Sequence, residues 1–396
     1  MSQIPSQAGK KNIVQYVRAN ARTLGLNWKA ILFLGLTPLF ALILVPIYFY
    51  DHPLTWAMSI AFVVLFSLNN LSITVGYHRY FAHRSYEAHP VLQLLLLFFG
   101  TGAFQGTVLQ WATDHRRHHF KVDTDEDPYN INNGFWYAHI GWMFLKDKPQ
   151  YHGKYAVDLE RNKILAFQHK HYAWLATFIG FILPGFLGMA IGAGFWGGFL
   201  ILGLLRIVLT QHSTFFINSL CHYLGRRPYS DQITARDSII MAFLTFGEGY
   251  HNYHHRFQLD YRNGILWYHW DPSKWMIQFF ASIQLASKLR TVSEPEILKA
   301  RMTMDEKNIL SRGARHETVT ALKLKLEEAQ NRLKSIRDEY RTEYLRLKTN
   351  VQNQSRERFL HLKAELALAK LEFQNAYAQW ILYVKNYSRM SQTAIS

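Results

Sequence analysis

Four long apolar runs restrict this chain more than any other feature of its sequence. They cover Ile31 to Tyr50, Leu54 to Val75, Trp174 to Ala193 and Phe195 to Phe216. Each has about 20 residues, the length a helix needs to cross the hydrocarbon core of a bilayer. In lipid every backbone N–H and C=O must be paired inside the segment, so runs of this length specify helices. The predicted fold class is an all-α membrane protein. Asp51-His52-Pro53 separates the first two runs and a Gly-rich break the last two, so four transmembrane helices form two hairpins. The two turns carry no Lys or Arg, whereas every other non-membrane segment is rich in them. The positive-inside rule then places both termini and the polar layer in the cytosol. Arg206 lies inside the fourth run and must face the protein interior, because an unpaired guanidinium in lipid is costly.

The rest of the chain is polar, and strongly basic. There are 44 Lys plus Arg against 28 Asp plus Glu, a formal charge of +16. Such an excess suits nucleic acid or an anionic membrane surface. The aromatic content of 15% favours the membrane, since Trp and Tyr gather at bilayer interfaces, and no nucleic-acid partner is expected. Residues 1–27 read as a basic tail without the apolar core of a signal peptide. Residues 28–299 form the membrane domain with its polar cap. Val91 to Phe104 is apolar over about 14 residues, short for a span, and reads as buried or re-entrant. Asn130 to Lys170 reads as a soluble or interfacial layer. Residues 300–396 are helical and carry heptad spacing. Leu322, Leu326, Ala329, Leu333, Ile336, Tyr340 and Leu347 form one seam, broken at Glu343, and Leu362, Leu366, Ala369, Phe373, Ala376 and Trp380 a second. These helices could fold back as a hairpin, pair between chains in self-association, lie on the membrane, or pack on the domain as ordinary amphipathic helices.

The chemistry resides in the histidines. His115-Arg116-Arg117-His118-His119 and His251-Asn252-Tyr253-His254-His255 repeat one His-x-x-His-His pattern. On a helix, positions i, i+3 and i+4 share a face, so each cassette aims three imidazoles at one point. His78 and His83 are five apart and do not share an α-helical face. They serve one site only if the helix ends or bends between them. His222 emerges from the fourth span on the same side. Nine imidazoles exceed what one metal of ordinary coordination uses, so two metal ions are expected. All-nitrogen sites suit iron, copper or zinc. Hydrolytic zinc needs only three protein ligands, and the surplus at a membrane surface fits oxygen-activating iron better. Cys221, alone, supplies neither a disulfide nor a cysteine-based cluster. Asp114, Asp123, Asp125, Asp127 and Glu248 are the carboxylates placed to hold the outer imidazole nitrogens, although Asp125 and Glu126 also read as solvated turn residues.

His78-x4-His83, His115-x2-His118-His119 and His251-x2-His254-His255, with hairpins between them, resemble the integral-membrane fatty-acyl desaturases. Gly76-Tyr77-His78-Arg79, Asp127-Pro128-Tyr129-Asn130, Asn218-Ser219-x-x-His222 and Gly247-Glu248-Gly249-Tyr250 are similar to the delta-9 stearoyl-CoA desaturase group. Asp260-Tyr261-Arg262-Asn263 and Trp267-Tyr268 resemble its fungal-type members. The resemblance runs from about residue 20 to 290 and implies an endoplasmic-reticulum, multi-pass enzyme of lipid metabolism. It implies a di-iron (Fe2+) site held by His78, His83, His115, His118, His119, His222, His251, His254 and His255, with Asn218 reaching one iron through water. No catalytic residue beyond the metal ligands is implied. O2 and two electrons would place a cis double bond at C9–C10 of a saturated C16–C18 acyl-CoA. Gln105, Trp111 and Thr214 fall where the family lines the kink of the acyl tunnel, Phe66 near its closed end, and Asp114 near the carrier.

The sequence departs from the family pattern in two places. Thr113 stands where acyl-CoA members carry Arg, which weakens the expected contact with the CoA phosphates and leaves an acyl lipid open as the substrate. A related histidine-box hydroxylase is the other enzymatic alternative. There is no His-Pro-Gly-Gly haem motif, and the helical region stands where fungal-type members carry a cytochrome b5 domain. No haem is expected in this chain, and electron transport would come from separate cytochrome b5 and its reductase.

Overall fold

The computed structural model describes residues 23–146, 154–349 and 353–393. Most of the expected basic tail and part of the break near Asn350 to Ser355 lie outside the described residues. The chain divides into two compact units, Met1–Val292 and Ser293–Ser396.

In the first unit, α1 spans Trp28–Asp51 and α2 spans Trp56–Ala82. A short apolar helix, α3, covers Pro90–Thr101, and α4 covers Val108–Lys121. The second hairpin is α5, Lys163–Ala190, and α6, Gly194–Tyr223. All four hairpin helices are long and apolar enough to cross a membrane. Leu42, Ile47, Ile60, Trp174 and Phe186 point outward from them, as lipid-facing residues do. Local sequence fixes the starts. Asn27 and Thr55 accept hydrogen bonds from Ala30 N–H and Met58 N–H, and Asn162 caps α5. Tyr48 Oη donates to Ala193 O at 3.0 Å, so the turns of both hairpins lie at one end of the bundle.

The hairpin of α5 and α6 closes on bare backbone. A Cβ on Gly188 would lie 2.5 Å from Gly198 Cα, and one on Gly198 would strike Pro184 O. Arg206 is 1% exposed and satisfied without a carboxylate. It donates to Gly102 O at 3.1 Å, Gly180 O at 2.9 Å, Leu202 O and Asn69 Oδ1. The buried guanidinium therefore ties α6 to α2, α3 and α5, in keeping with the inward placement expected of it.

Two elements differ from expectation. The helix carrying His78 ends at Ala82, between the two histidines as their spacing asks, but its last turns are not α-helical. From Ser72 to Ala82 it is wound as a π-helix, and His83 N–H donates to His78 O at 3.0 Å. That i→i+5 bond stacks two residues which an α-helix would hold about 140° apart around its axis. α5 begins at Lys163, well before the apolar run, with non-helical φ/ψ at His171. Hydropathy marks where the membrane starts, whereas the cap at Asn162 marks where the helix starts.

The polar layer is built from short pieces. α7 covers Ile239–Leu244, α8 His251–Arg256 and α9 Pro272–Ser282. β1, Glu87–Ala88, pairs antiparallel with β2, Ala286–Ser287, in the register Glu87↔Ser287. This clasp joins the chain leaving α2 to the chain leaving α9.

The second unit holds α10, Glu294–Leu310, α11, His316–Thr349, and α12, Asn353–Thr393. A boundary at Ala300 would fall inside α10, whose start is fixed by the Ser293–Glu296 capping box. Leu326, Leu333, Leu362, Ala369, Ala376 and Trp380 are all buried, and α11 packs along α12. The heptad seams therefore face each other within the chain, the hairpin arrangement among those the sequence leaves open. Met302, Ile309 and Val319 complete that core.

Candidate metal centre

α2 with the residue that caps it, α4, α6 and α8 deliver nine imidazoles to one end of the bundle. They fall into two groups: His78, His83, His115, His119 and His254, and His118, His222, His251 and His255. Within each group the ligating nitrogens lie within 4.8 Å of one another. Each cassette is split between the groups. His118 faces one way while His115 and His119 face the other, and His254 leaves His251 and His255 for the first group. The expected sharing of three imidazoles at one point is thus corrected: i, i+3 and i+4 span enough of a helix face to serve two centres side by side.

Every short contact inside the groups is Nε2 to Nε2. His78–His254 is 2.9 Å, His83–His115 2.8 Å and His119–His254 3.0 Å. In the second group His118–His255 is 3.2 Å, His222–His251 3.1 Å and His251–His255 3.1 Å. Adjacent ligands at about 2.1 Å from one metal in square geometry stand about 3.0 Å apart, the spacing seen here.

The outer nitrogens show why those inner contacts need a cation. His78 Nδ1 is 3.0 Å from Glu248 Oε2, and His118 Nδ1 is 2.9 Å from Asp127 Oδ1. Each carboxylate requires a proton on Nδ1 and so leaves a bare lone pair on Nε2. His222 Nδ1 meets Thr234 Oγ1 at 2.8 Å, and that hydroxyl donates to Asp123 Oδ1 at 2.6 Å. His222 Nε2 is therefore also bare and turned inward. Burial, with neighbouring imidazoles, holds His83, His115, His119, His251, His254 and His255 well below the ordinary histidine range. They are neutral near pH 7, the form that binds metal. The donor set fits two metal ions, one with five imidazoles and one with four.

Glu248 is itself held. Its Oε1 accepts from Arg79 Nη2 at 3.0 Å and its Oε2 from Asn263 Nδ2 at 2.6 Å. Arg79 also pairs with Asp271 at 2.9 Å, and all three charged groups are buried. The Coulombic and hydrogen-bond partners keep the Glu248 carboxyl below its usual range despite the opposing effect of burial. Asp237 accepts from Asn252 N–H at 2.7 Å and Tyr253 N–H at 3.1 Å, fixing the start of α8.

The remaining expected positions are placed as follows. Asn218 is half-buried at the end of the regular part of α6, one turn before His222. Trp111 stacks on His115, ring centroids 4.8 Å apart, and meets His78 edge-on at 5.9 Å. Gln105 Nε2 donates to Thr214 Oγ1 at 2.8 Å, while Gln105 Oε1 is buried without a hydrogen-bond partner. Phe66 lies between Phe62 and Phe246, at 6.1 and 5.7 Å, twelve residues down α2 from His78. Asp114 Oδ1 pairs with Arg117 Nη2 at 3.2 Å. Asp125 and Glu126 are exposed, and Glu126 pairs with Lys121. Thr234 and Tyr129, whose Oη is 3.3 Å from His115 Nδ1, are additional outer partners that histidine spacing does not reveal. Tyr129 sits in the Asp127-Pro128-Tyr129-Asn130 motif, a signal for it. Thr234 has none.

The fold and site together define an all-α bundle with four helices long and apolar enough to cross a membrane and two adjoining polyhistidine groups, each able to hold a metal ion. Residues 51–278 match the family model described as fatty acid desaturase, and that stretch contains all nine histidines. This chain belongs to the fatty acid desaturase family. It is 36% identical over 306 residues to a probable acyl-CoA desaturase of Schizosaccharomyces pombe, covering 77% of this chain and 64% of that protein. It is 40% identical over 254 residues to acyl-CoA desaturase 1 of Saccharomyces cerevisiae, covering 64% of this chain and 50% of that protein. An acyl-CoA Delta(11) desaturase of Spodoptera littoralis is 37% identical over 255 residues, 62% of this chain and 74% of the relative. The chain thus spans half to two thirds of the length of the first two relatives.

Proposed function

We propose that this protein is an O2-dependent acyl-CoA desaturase that places a cis double bond at C9–C10 of a saturated C16–C18 chain. The observation that carries this reading is the pair of inward-facing imidazole groups with carboxylate-fixed tautomers. In this reading the nine histidines hold two iron ions, and Asn218 reaches one of them through a water. The metals, when bound, supply the activation of O2 needed to break unactivated C–H bonds. The overall change balances: two C–H bonds are lost, O2 and two electrons are consumed with two protons, and two waters leave. Electrons come one at a time from a separate cytochrome b5 and its reductase, drawn by the basic surface on the metal side. That side faces the cytosol, and the membrane is that of the endoplasmic reticulum.

The chain's own residues hold and screen the substrate. Trp111, flat against His115, forms an apolar wall beside the reacting carbons and leaves them nothing to hydrogen-bond. Gln105 and Thr214 join the loop after α3 to α6 and set the bend of the acyl path. Phe66 is about 18 Å along α2 from His78 and closes the path, limiting chain length. Asp114 lies toward the carrier end. Glu248, Asp127 and the Thr234–Asp123 pair hold the imidazole tautomers throughout the cycle.

One observation favours a second reading. Thr113 is buried, so the position offers no cation to CoA phosphates, and an acyl lipid is then the substrate. The test uses the full chain in detergent with cytochrome b5, its reductase and labelled stearoyl-CoA. Labelled oleoyl-CoA is expected. Double-bond position distinguishes C9–C10 from the Delta(11) position named for the Spodoptera relative. A hydroxylated product would assign a hydroxylase. Product only from acyl phospholipid would overturn the CoA assignment.

A further inference from the structure

Beyond the four spans, one surface of the first unit is apolar, aromatic and open. On α7, Ile239, Ile240 and Phe243 are 74%, 73% and 62% exposed. The Phe243 ring lies 5.2 Å from Trp270, which lies 5.5 Å from Trp275 at the start of α9. Phe279, one turn further along α9, is 59% exposed. From Ile239 to Phe246 there is no charged residue. Lys274, the one charge on α9, is turned inward and donates to Gly264 O and Leu266 O, each at 2.7 Å. Monomeric proteins rarely leave a contiguous apolar surface of this kind facing water.

The depth of this surface is set by what lies behind it. Ser213 Oγ on α6 donates to Leu244 O at 2.7 Å, tying the end of α7 to that span. Ser273 Oγ at the start of α9 meets Thr74 Oγ1 on α2 at 2.5 Å and donates to Phe246 O at 3.0 Å. At about 1.5 Å per residue, Thr74 is about 27 Å along α2 from Trp56, and Ser213 about 28 Å along α6 from Gly194. Both values approach the hydrocarbon thickness of a bilayer, about 30 Å. Trp56 and Gly194 start these helices at the turn end of the bundle. Two independent attachments therefore bring α7 and the start of α9 to the edge of the hydrocarbon layer on the metal side. Their exposed face continues the lipid-facing surface of the spans.

We propose that α7 and α9 form an in-plane membrane anchor whose apolar face is covered by lipid acyl chains of the metal-side leaflet. Trp270 and Trp275 sit where amphipathic rings gather, between tails and headgroups. The anchor leads directly into Gly247-Glu248-Gly249 and α8, so lipid contact holds the second cassette at a fixed height above the bilayer.

The experiment uses Ile240→Cys, Phe243→Cys and Phe279→Cys in the full chain, spin-labelled in phosphatidylcholine vesicles. Collision with O2, which enriches in lipid, is compared with collision with a water-soluble nickel chelate. Val63→Cys on the lipid face of α2 and Glu126→Cys on the metal side give the two reference values. Cys221 is fully buried, and its background is read from the unsubstituted chain. The three labels are expected to shift to the O2-rich, nickel-poor value of Val63. Nickel access equal to that at Glu126 would overturn the proposal by showing water at the surface. Protection from both reagents would overturn it in favour of a protein partner or a second copy. Because α7 and α9 are labelled separately, loss of one variant to misfolding leaves the other to decide.

Discussion

At the residue scale the centre depends on groups that never touch a metal. Glu248 fixes the proton on His78 Nδ1 and is itself fixed by Arg79 and Asn263. Glu248→Gln keeps the shape and removes the charge, so His78 is free to present a protonated Nε2 to its group. Metal affinity is expected to fall about 10- to 100-fold, read as metal per chain after dialysis against a graded chelator. Glu126→Gln, at an exposed carboxylate, is expected to leave it unchanged. Thr234→Val cuts the link from His222 to Asp123 and is expected to weaken metal retention within the same range. Unaltered retention in Thr234→Val would mean that His222 holds its orientation without the hydroxyl. The nine imidazoles were legible because their residue type and helical spacing carry the chemistry. The outer partners were legible only where a carboxylate lay close in sequence. Asp127 and Glu248 are such cases, whereas Thr234 reaches His222 through a loop, and Asp125, which also reads as a turn residue, is exposed.

At the element scale the spans could be read from hydropathy, and their internal winding could not. The π-helix at Ser72–Ala82 has no compositional mark; what foretold trouble was the five-residue spacing of His78 and His83, which no α-helix satisfies. α5 starts ahead of the apolar run because Lys163 to His171, mixed in polarity, is still helical. The crossing of α5 and α6 also lies below the level of hydropathy, since it depends on two glycines among many. Gly198→Ala puts a methyl against Pro184 O and the Gly188 backbone, which cannot yield without parting the helices. It is expected to destabilise the protein by about 1–3 kcal/mol. Gly35→Ala, with open space around its Cβ, is expected to be stabilising by about 0.5–1 kcal/mol. Thermal unfolding of both variants in one detergent checks the sign difference. A common sign would remove the close-packed crossing as the cause.

At the scale of the whole molecule, two terms act on separate units. In the first, His83, His115, His119, His251, His254 and His255 resist protonation when folded, whereas an unfolded histidine titrates near pH 6.5. Below that pH the unfolded chain takes up protons that the folded chain refuses, so metal-free stability falls as pH falls. Between about pH 8 and pH 5.5 the melting temperature of chelator-treated protein is expected to be level at first and then drop. A rise on acidification would contradict the burial of these imidazoles. In the second unit, stability rests on a core of its own, centred on Trp380. That side chain is fully buried among α10, α11 and α12, and its Nε1 donates to Asp305 Oδ2 at 3.3 Å. Trp380→Ala opens a cavity and is expected to cost about 3–5 kcal/mol. Because Met302, Leu326 and Ala376 belong to that core and the histidines do not, the loss should remain local. Amide exchange is expected to accelerate across α10 to α12 while α4 and α8 keep their protection and the metal content is unchanged. Faster exchange in α8 would show that the histidine centre and the C-terminal helices unfold as one cooperative body.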